Sequence, residues 1–307
     1  MADVTPPAAG GLGRLLVAVD GTEFSTGAVQ VASDLARISG AMLVVLTVLP
    51  VRQGSDVMGI DTRIAEQEDA KNMVRGPVAV AQAGGVKTLA ATHRGRSPAQ
   101  GIVAAANEHR ADLIVMGRRG RYSLARAVLG SAVARVIAGA PQPVLVVPRA
   151  AKMWERRILL ASDGSPPSEM AARSAAVLAR IHKLPLTVLS VEVPKHSPER
   201  QAEAARIVER LVASLRAEGL EAEGRVAKGM PPDAILAVAG EVGADLIVMG
   251  SKGRTPLERA LLGSNSRAVI GRAACPVLVA TTAALGTGNG RTAEAPAMAW
   301  PSQGGLP

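Results

Sequence analysis

The chain has 307 residues, enough for about two domains of ordinary size, and its 48% hydrophobic content argues against global disorder. The formal net charge is +9 but aromatics are only 1% of residues, so the basic balance lacks the rings that stack single-stranded bases; specific nucleic-acid binding is disfavoured, and solvated basic faces explain the charge. A lone cysteine, Cys275, excludes an internal disulfide framework and suits a reducing compartment, and no apolar run nears the ~20 residues that span a bilayer.

Residues 1–13, rich in Pro, Gly and Ala, are expected to be disordered, and they carry no secretory pattern of basic then apolar residues. A cytoplasmic protein without membrane insertion is the expectation. Leu15–Val19 is a short apolar run that stops at Asp20-Gly21, as a buried strand entering a turn does. Ser25 is an N-cap candidate for a helix whose apolar positions, Ala28, Val29, Ala32, Leu35, Ala36 and Ile38, run to Gly40. Met42–Leu49 reads as a second buried strand. A polar stretch from Arg52 to Asp61 precedes a weakly patterned helix to about Ala83, and Val86–Thr92 is a third strand. Pro98 opens a helix to about His109. Leu113–Met116 is a fourth strand, a helix begins near Ser131, and prolines 143 and 148 bracket a fifth strand.

From Arg157 the pattern restarts. Ile158–Ser162 ends at Asp163-Gly164, Leu186–Val193 repeats the second strand, and Ala204–Ala217 is a helix. Gly219–Ala227 is a strand, Pro231–Val242 a helix, and Leu246–Met249 and Pro276–Val279 repeat the fourth and fifth strands. The offset is 250 − 117 = 133 between Gly117 and Gly250, and the same between Gly130 and Gly263 and between Pro143 and Pro276. Between Asp20 and Asp163 it is 143, so the first half carries about ten extra residues, placed after its second strand. The chain is a tandem duplication, expected as one domain over 14–149 and another over 156–281, with a disordered tail at 283–307. Strands alternating with helices, with continuous Val/Leu/Ile runs, argue for parallel α/β sheets covered by helices on both faces.

Ligands of open parallel sheets sit beyond the carboxyl ends of the strands, where the strand order reverses. Asp20 and Gly117 stand there in the first half, Asp163 and Gly250 in the second. Glycines let backbone N–H groups approach an anion, and a Gly-Ser at a helix start adds free donors and the positive end of the helix dipole. The pattern Gly-x2-Gly-x9-Gly-Ser occurs twice: Gly117, Gly120, Gly130 and Ser131, then Gly250, Gly253, Gly263 and Ser264. Two readings stand for these residues. The glycines and aspartates either form a phosphate and ribose site or serve packing and turn chemistry alone. Likewise Arg118, Arg119 and Arg121 either grip phosphate or form a solvated basic loop.

With both copies in view, the chain resembles the universal stress protein family in its tandem-domain form, over about residues 14–149 and 156–281. The resemblance implies an adenine-nucleotide alpha-hydrolase-like fold of two tandem open-twisted five-stranded sheets, each in the order 3-2-1-4-5. In that family the motif lines an ATP site in some members, while others bind no nucleotide. Carried over, Asp20 and Asp163 contact ribose or base, and Val48 and Val191 meet adenine through their backbone. Gly117, Gly120, Gly130 and Ser131 hold the phosphates of the first half; Gly250, Gly253, Gly263, Ser264 and Asn265 hold those of the second, with Mg²⁺ as a possible companion. The family's Gly-x-Pro turn is kept as Gly229-Met230-Pro231 in the second half. The first half has Arg96-Ser97-Pro98, where Arg96 either clasps a phosphate or fills the pocket, so the second half is expected to be the better-formed site.

No metal-ligand spacing joins the four histidines, no nucleophile elbow surrounds Ser131 or Ser264, and the Walker lysine pattern is missing. At most slow ATP hydrolysis is expected. The sequence thus points to a cytoplasmic ATP-binding stress-response module, or alternatively to a nucleotide-free interaction protein. Its halves are expected to pair within the chain, with a homodimer as a further option.

Overall fold

In the computed structural model the described residues are 11–50, 60–95, 97–118, 129–253 and 262–281. The first half runs β1 (Arg14–Val19), α1 (Thr26–Ser39), β2 (Met42–Pro50), α2 (Ile60–Ala83), β3 (Thr88–Gly95), α3 (Pro98–Glu108), β4 (Leu113–Gly117), α4 (Ser131–Gly139) and β5 (Val144–Val147). The second repeats it as β6 (Ile158–Ala161), α5 (Pro166–His182), β7 (Leu186–Glu192), α6 (Pro198–Ala217), β8 (Ala222–Lys228), α7 (Pro231–Glu241), β9 (Leu246–Gly250), α8 (Ser264–Arg272) and β10 (Val277–Ala280).

Each half has the strand order 3-2-1-4-5, but the two sheets are not separate. They fuse into one ten-stranded sheet, β3-β2-β1-β4-β5-β10-β9-β6-β7-β8. All pairs are parallel except the central one, where β10 runs antiparallel to β5 with Val277 opposite Val146, Leu278 opposite Leu145 and Val279 opposite Val144. Leu145 and Leu278 are counterparts (278 − 145 = 133), so they face each other on a pseudo-two-fold axis. The reason is the unpaired edge: a bare Val-Leu-Val-Val strand is a liability in water, and each half caps the other's. The outer edges, β3 and β8, instead carry His93, Arg94, Glu223, Arg225 and Lys228 among their side chains.

Continuous apolar strands bury both faces because helices cover both. Leu15, Val17, Leu113, Val115, Ile158 and Leu160 join α1, α2, α5 and α6 in one core. The alternating positions Leu16, Ile114, Met116, Leu159 and Ile247 join α3, α4, α7 and α8 in the other. Both cores run through the two halves. The packed chain also starts earlier than the expected residue 14. Leu12 is buried, and Asp112 accepts bonds from Gly13 N (2.8 Å) and Arg14 N (2.9 Å).

Other boundaries moved for local reasons. β3 lies at Thr88–Gly95, shifted toward its carboxyl end relative to Val86–Thr92, because β2 pairs with it as far as Pro50 opposite Gly95. α6 begins six residues before Ala204: the Ser197 hydroxyl accepts from Arg200 N and Pro198 fills the first turn, the residues that favour a helix start. Ser25 does sit at the N-cap of α1, yet its hydroxyl donates to Thr22 O (2.8 Å) rather than capping.

Candidate functional site

β1 pairs with both β2 and β4, and β6 with both β7 and β9, so each half has its reversal point between its first and fourth strands. Asp20 and Asp163 follow the first of these strands, and Gly117 and Gly250 end the other. The second half shows how they meet. A Cβ built on Gly253 would lie 2.7 Å from Asp163 Oδ2, so the carboxylate rests directly over the glycine loop and any larger residue there would displace it. Gly250 is as tightly placed, with a Cβ position 2.9 Å from Ser168 N at the start of α5; that of Gly263 is 3.2 Å from Ser251 O.

The turn after β6 is knit by serines. Ser165 N donates to Asp163 Oδ1 (3.1 Å), Ser162 Oγ to Ser168 Oγ (3.0 Å), and Ser168 Oγ to Ser165 O (2.8 Å). Ser165 Oγ reaches Lys252 O at 3.4 Å, tying the aspartate turn to the glycine loop. The loop is held at both ends: Ser251 N donates to Ala280 O (2.8 Å) and Gly263 N to Ser251 O (3.0 Å). α8 then opens with Gly263 as N-cap, Ser264 and Asn265 exposed, and Arg267 N closing the first helical bond to Gly263 O. The N–H groups ahead of that bond are those every helix start leaves without an intrahelical partner.

Ser266 escaped the sequence reading. It is buried, and its hydroxyl donates to Gly250 O (2.9 Å), anchoring the loop's first glycine to α8. The available signal was the Ser264-Asn265-Ser266 run, where the first copy has Ser131-Ala132-Val133. Asp112 and Asp245 were missed as well. Asp245 accepts from Glu155 N (2.8 Å), Arg156 N (3.0 Å) and Arg157 N (3.0 Å), holding the chain where it enters the second half.

The first copy is built alike but wired differently. Gly130 is the N-cap of α4, Ser131 is exposed at its first position, and Gly130 N donates to Arg118 O (3.1 Å). Asp20 Oδ1 accepts from both Thr22 N (3.1 Å) and Thr22 Oγ1 (2.6 Å), so the hydroxyl that binds the loop in the second half binds the aspartate here. Arg118 reaches across the central ladder, its Nη1 donating to Ala273 O (2.7 Å) at the end of α8. Gly120, Arg119, Arg121 and Arg96 lie outside the described residues, as does the turn contrast that rested on Arg96.

The sheet register also refines that contrast. Val48 pairs with His93 and its counterpart Val191 with Ala227, an offset of 227 − 93 = 134, which brings Gly95 level with Gly229. The prolines remain 133 apart, so the first half keeps the glycine and has one residue more in the turn. Gly229 has φ +136 and open space where a Cβ would be, and its N–H donates to Glu192 O (3.0 Å). That backbone is strained for any side chain, which fixes glycine at the mouth of the second crevice.

The universal stress protein family profile matches residues 11–148 and again 155–281. The chain belongs to the universal stress protein family. A Mycolicibacterium smegmatis universal stress protein is 35% identical over 182 residues, which cover 55% of this chain and 61% of that protein, so the match spans less than two thirds of the relative's length. A Methanocaldococcus jannaschii universal stress protein is 36% identical over 139 residues, 40% of this chain and 81% of that one. The crystal structure of a universal stress protein from Archaeoglobus fulgidus superposes with a TM-score of 0.71 at 26% identity, covering 88% of this chain and 98% of that chain.

Outside the crevices, Cys275 is partly buried against the second core, and burial pushes its thiol up to about 11. No group of three or more His, Cys, Asp or Glu that could hold a metal occurs among the described residues. None of their helices is long and apolar enough to cross a membrane.

Proposed function

We propose that this universal stress protein binds ATP in the crevice between β6 and β9 and works as a cytoplasmic regulatory module in a stress response. The observation that carries the reading is the close seat of the Asp163 carboxylate on Gly253, with the start of α8 at the far end of the same loop. A carboxylate suits a ribose hydroxyl, and a glycine loop running into a helix start suits phosphates, so the two ends match the two ends of a nucleotide. Gly250, Gly253, Gly263, Ser264 and Asn265 would hold the phosphates, with Lys252 beside them, and Val191 and Gly229 would border the base. Any Mg²⁺ would be carried in on the phosphates. No general base is assigned, so the protein responds to occupancy or to slow hydrolysis.

Isothermal calorimetry on the full chain tests this. Saturable ATP binding that Asp163→Ala reduces at least tenfold is expected; no heat with the unmodified protein removes the reading. A nucleotide-free role is favoured for the first half by one observation, the bond from Arg118 to Ala273 O, which makes Arg118 a brace between the halves.

A further inference from the structure

Among the described residues the two crevices differ at the end where a base would lie, and two positions carry that difference. At the carboxyl end of β2, Val48 is paired with His93 of β3. The His93 ring is packed into the start of α3: a Cβ on Gly101 would lie 2.9 Å from His93 Cδ2 and 2.8 Å from Val48 Cγ1. Gly95 is near the ring as well, its Cβ position 3.6 Å from Cδ2 and 3.7 Å from Nε2. Gly101 is therefore the partner that makes room for the imidazole. In the second half the register partner of Val191 is Ala227, and the residue 133 positions beyond Gly101 is Ala234, which is buried. One pair is large and absent, the other small and small. Two methyl groups occupy less space than one imidazole, so the exchange leaves more room beside Val191 than beside Val48.

We propose that His93, seated between Val48 and Gly101, is a specificity-determining residue: it occupies the base end of the first crevice, so that an adenine nucleotide enters the second crevice and is excluded from the first. This inference rests on the nucleotide reading above and adds which half binds and why. It concerns the shape of the base end and leaves the phosphate loops of both halves unchanged. By sequence the first half also has one residue more between Gly95 and Pro98 than the second has between Gly229 and Pro231.

Calorimetric stoichiometry of ATP on the full chain decides the matter. The unmodified protein is expected to take one equivalent, with any second event at least tenfold weaker. The double variant His93→Ala/Gly101→Ala, which copies the second half, is expected to take two. In that background Asp163→Ala should leave one equivalent at the original affinity, whereas in the unmodified background it should leave only binding at least tenfold weaker. Because Gly101→Ala adds a methyl group beside Val48, His93→Ala alone, which only removes atoms, provides the same readout should the double variant not fold. Two equal equivalents on the unmodified protein, or one equivalent on every variant without His93, overturns the inference while the nucleotide reading stands. No ATP binding by any of these proteins removes the nucleotide reading, and this inference with it.

Discussion

At Asp163 the backbone and the side chain serve different ends. One carboxylate oxygen fixes its own turn through Ser165 N, and the other rests against Gly253. Loss of a charge-assisted hydrogen bond costs about 1.5–3 kcal/mol, so Asp163→Ala should weaken ATP binding by roughly 10- to 100-fold and also lower the melting temperature, because the Ser165 N bond is lost with it. Gly263→Val acts by sterics. Its Cβ falls 3.2 Å from Ser251 O, inside the loop that Gly263 N itself closes, so ATP binding should be lost with circular dichroism unaltered. His182 supplies a prediction of another kind. Burial holds its imidazole below the ordinary 6.5, against the opposing field of Asp245. The folded protein thus keeps it neutral where the unfolded chain takes a proton. Its contribution to stability is whole above pH 6.5 and is lost as pH falls toward the folded value, so His182→Gln should flatten the decline of melting temperature on mild acidification.

Among the elements, the connection between the halves is the most constrained. Trp154 is fully buried in the first core, its ring 5.2 Å from that of His182, and Asp245 grips the three residues that follow. Among the described residues neither Trp154 Nε1 nor His182 Nε2 meets a hydrogen-bond partner, so packing alone sets the indole in place. Trp154→Ala should cost about 3–5 kcal/mol, read from urea unfolding of the full chain. Sequence periodicity showed the strands because buried β-strands of parallel sheets are continuous apolar runs. It missed the start of α6, where the largely polar run Pro198–Glu203 gives no apolar stripe and only the Ser197-Pro198 cap marks the helix. It also missed Asp112 and Asp245, because a carboxylate binding backbone N–H groups 88 to 99 residues away in sequence leaves no local pattern.

For the whole molecule, the decisive contact is the antiparallel pairing of β5 with β10, reinforced by Thr281 Oγ1 donating to Pro141 O (2.6 Å) and by Arg118. Both cores cross this line, so the halves should unfold together: a single urea transition is expected, with far-UV circular dichroism and tryptophan fluorescence superimposing. Leu278→Asp would bury an unpaired charge opposite Leu145 and should split or abolish that transition. Two separate transitions in the unmodified protein would show that the halves are thermodynamically independent.

The sequence by itself determined the duplication, the parallel α/β class and the positions of Asp163, Gly250, Gly253 and Gly263, because all of these are written in local spacing and in residues whose backbone chemistry has few substitutes. It also placed Asp20 and Gly117 as their copies. Only the tertiary structure decided that two sheets become one, since an edge strand's partner is a matter of three-dimensional exposure. The sequence separated the crevices only at the Gly229-Met230-Pro231 turn, and the tertiary structure added the Thr22 and Ser165 hydroxyls, the Ser266 anchor and the His93–Gly101 exchange. Those differences lie in which neighbour each side chain meets across the fold, and that is fixed by packing between segments distant along the chain.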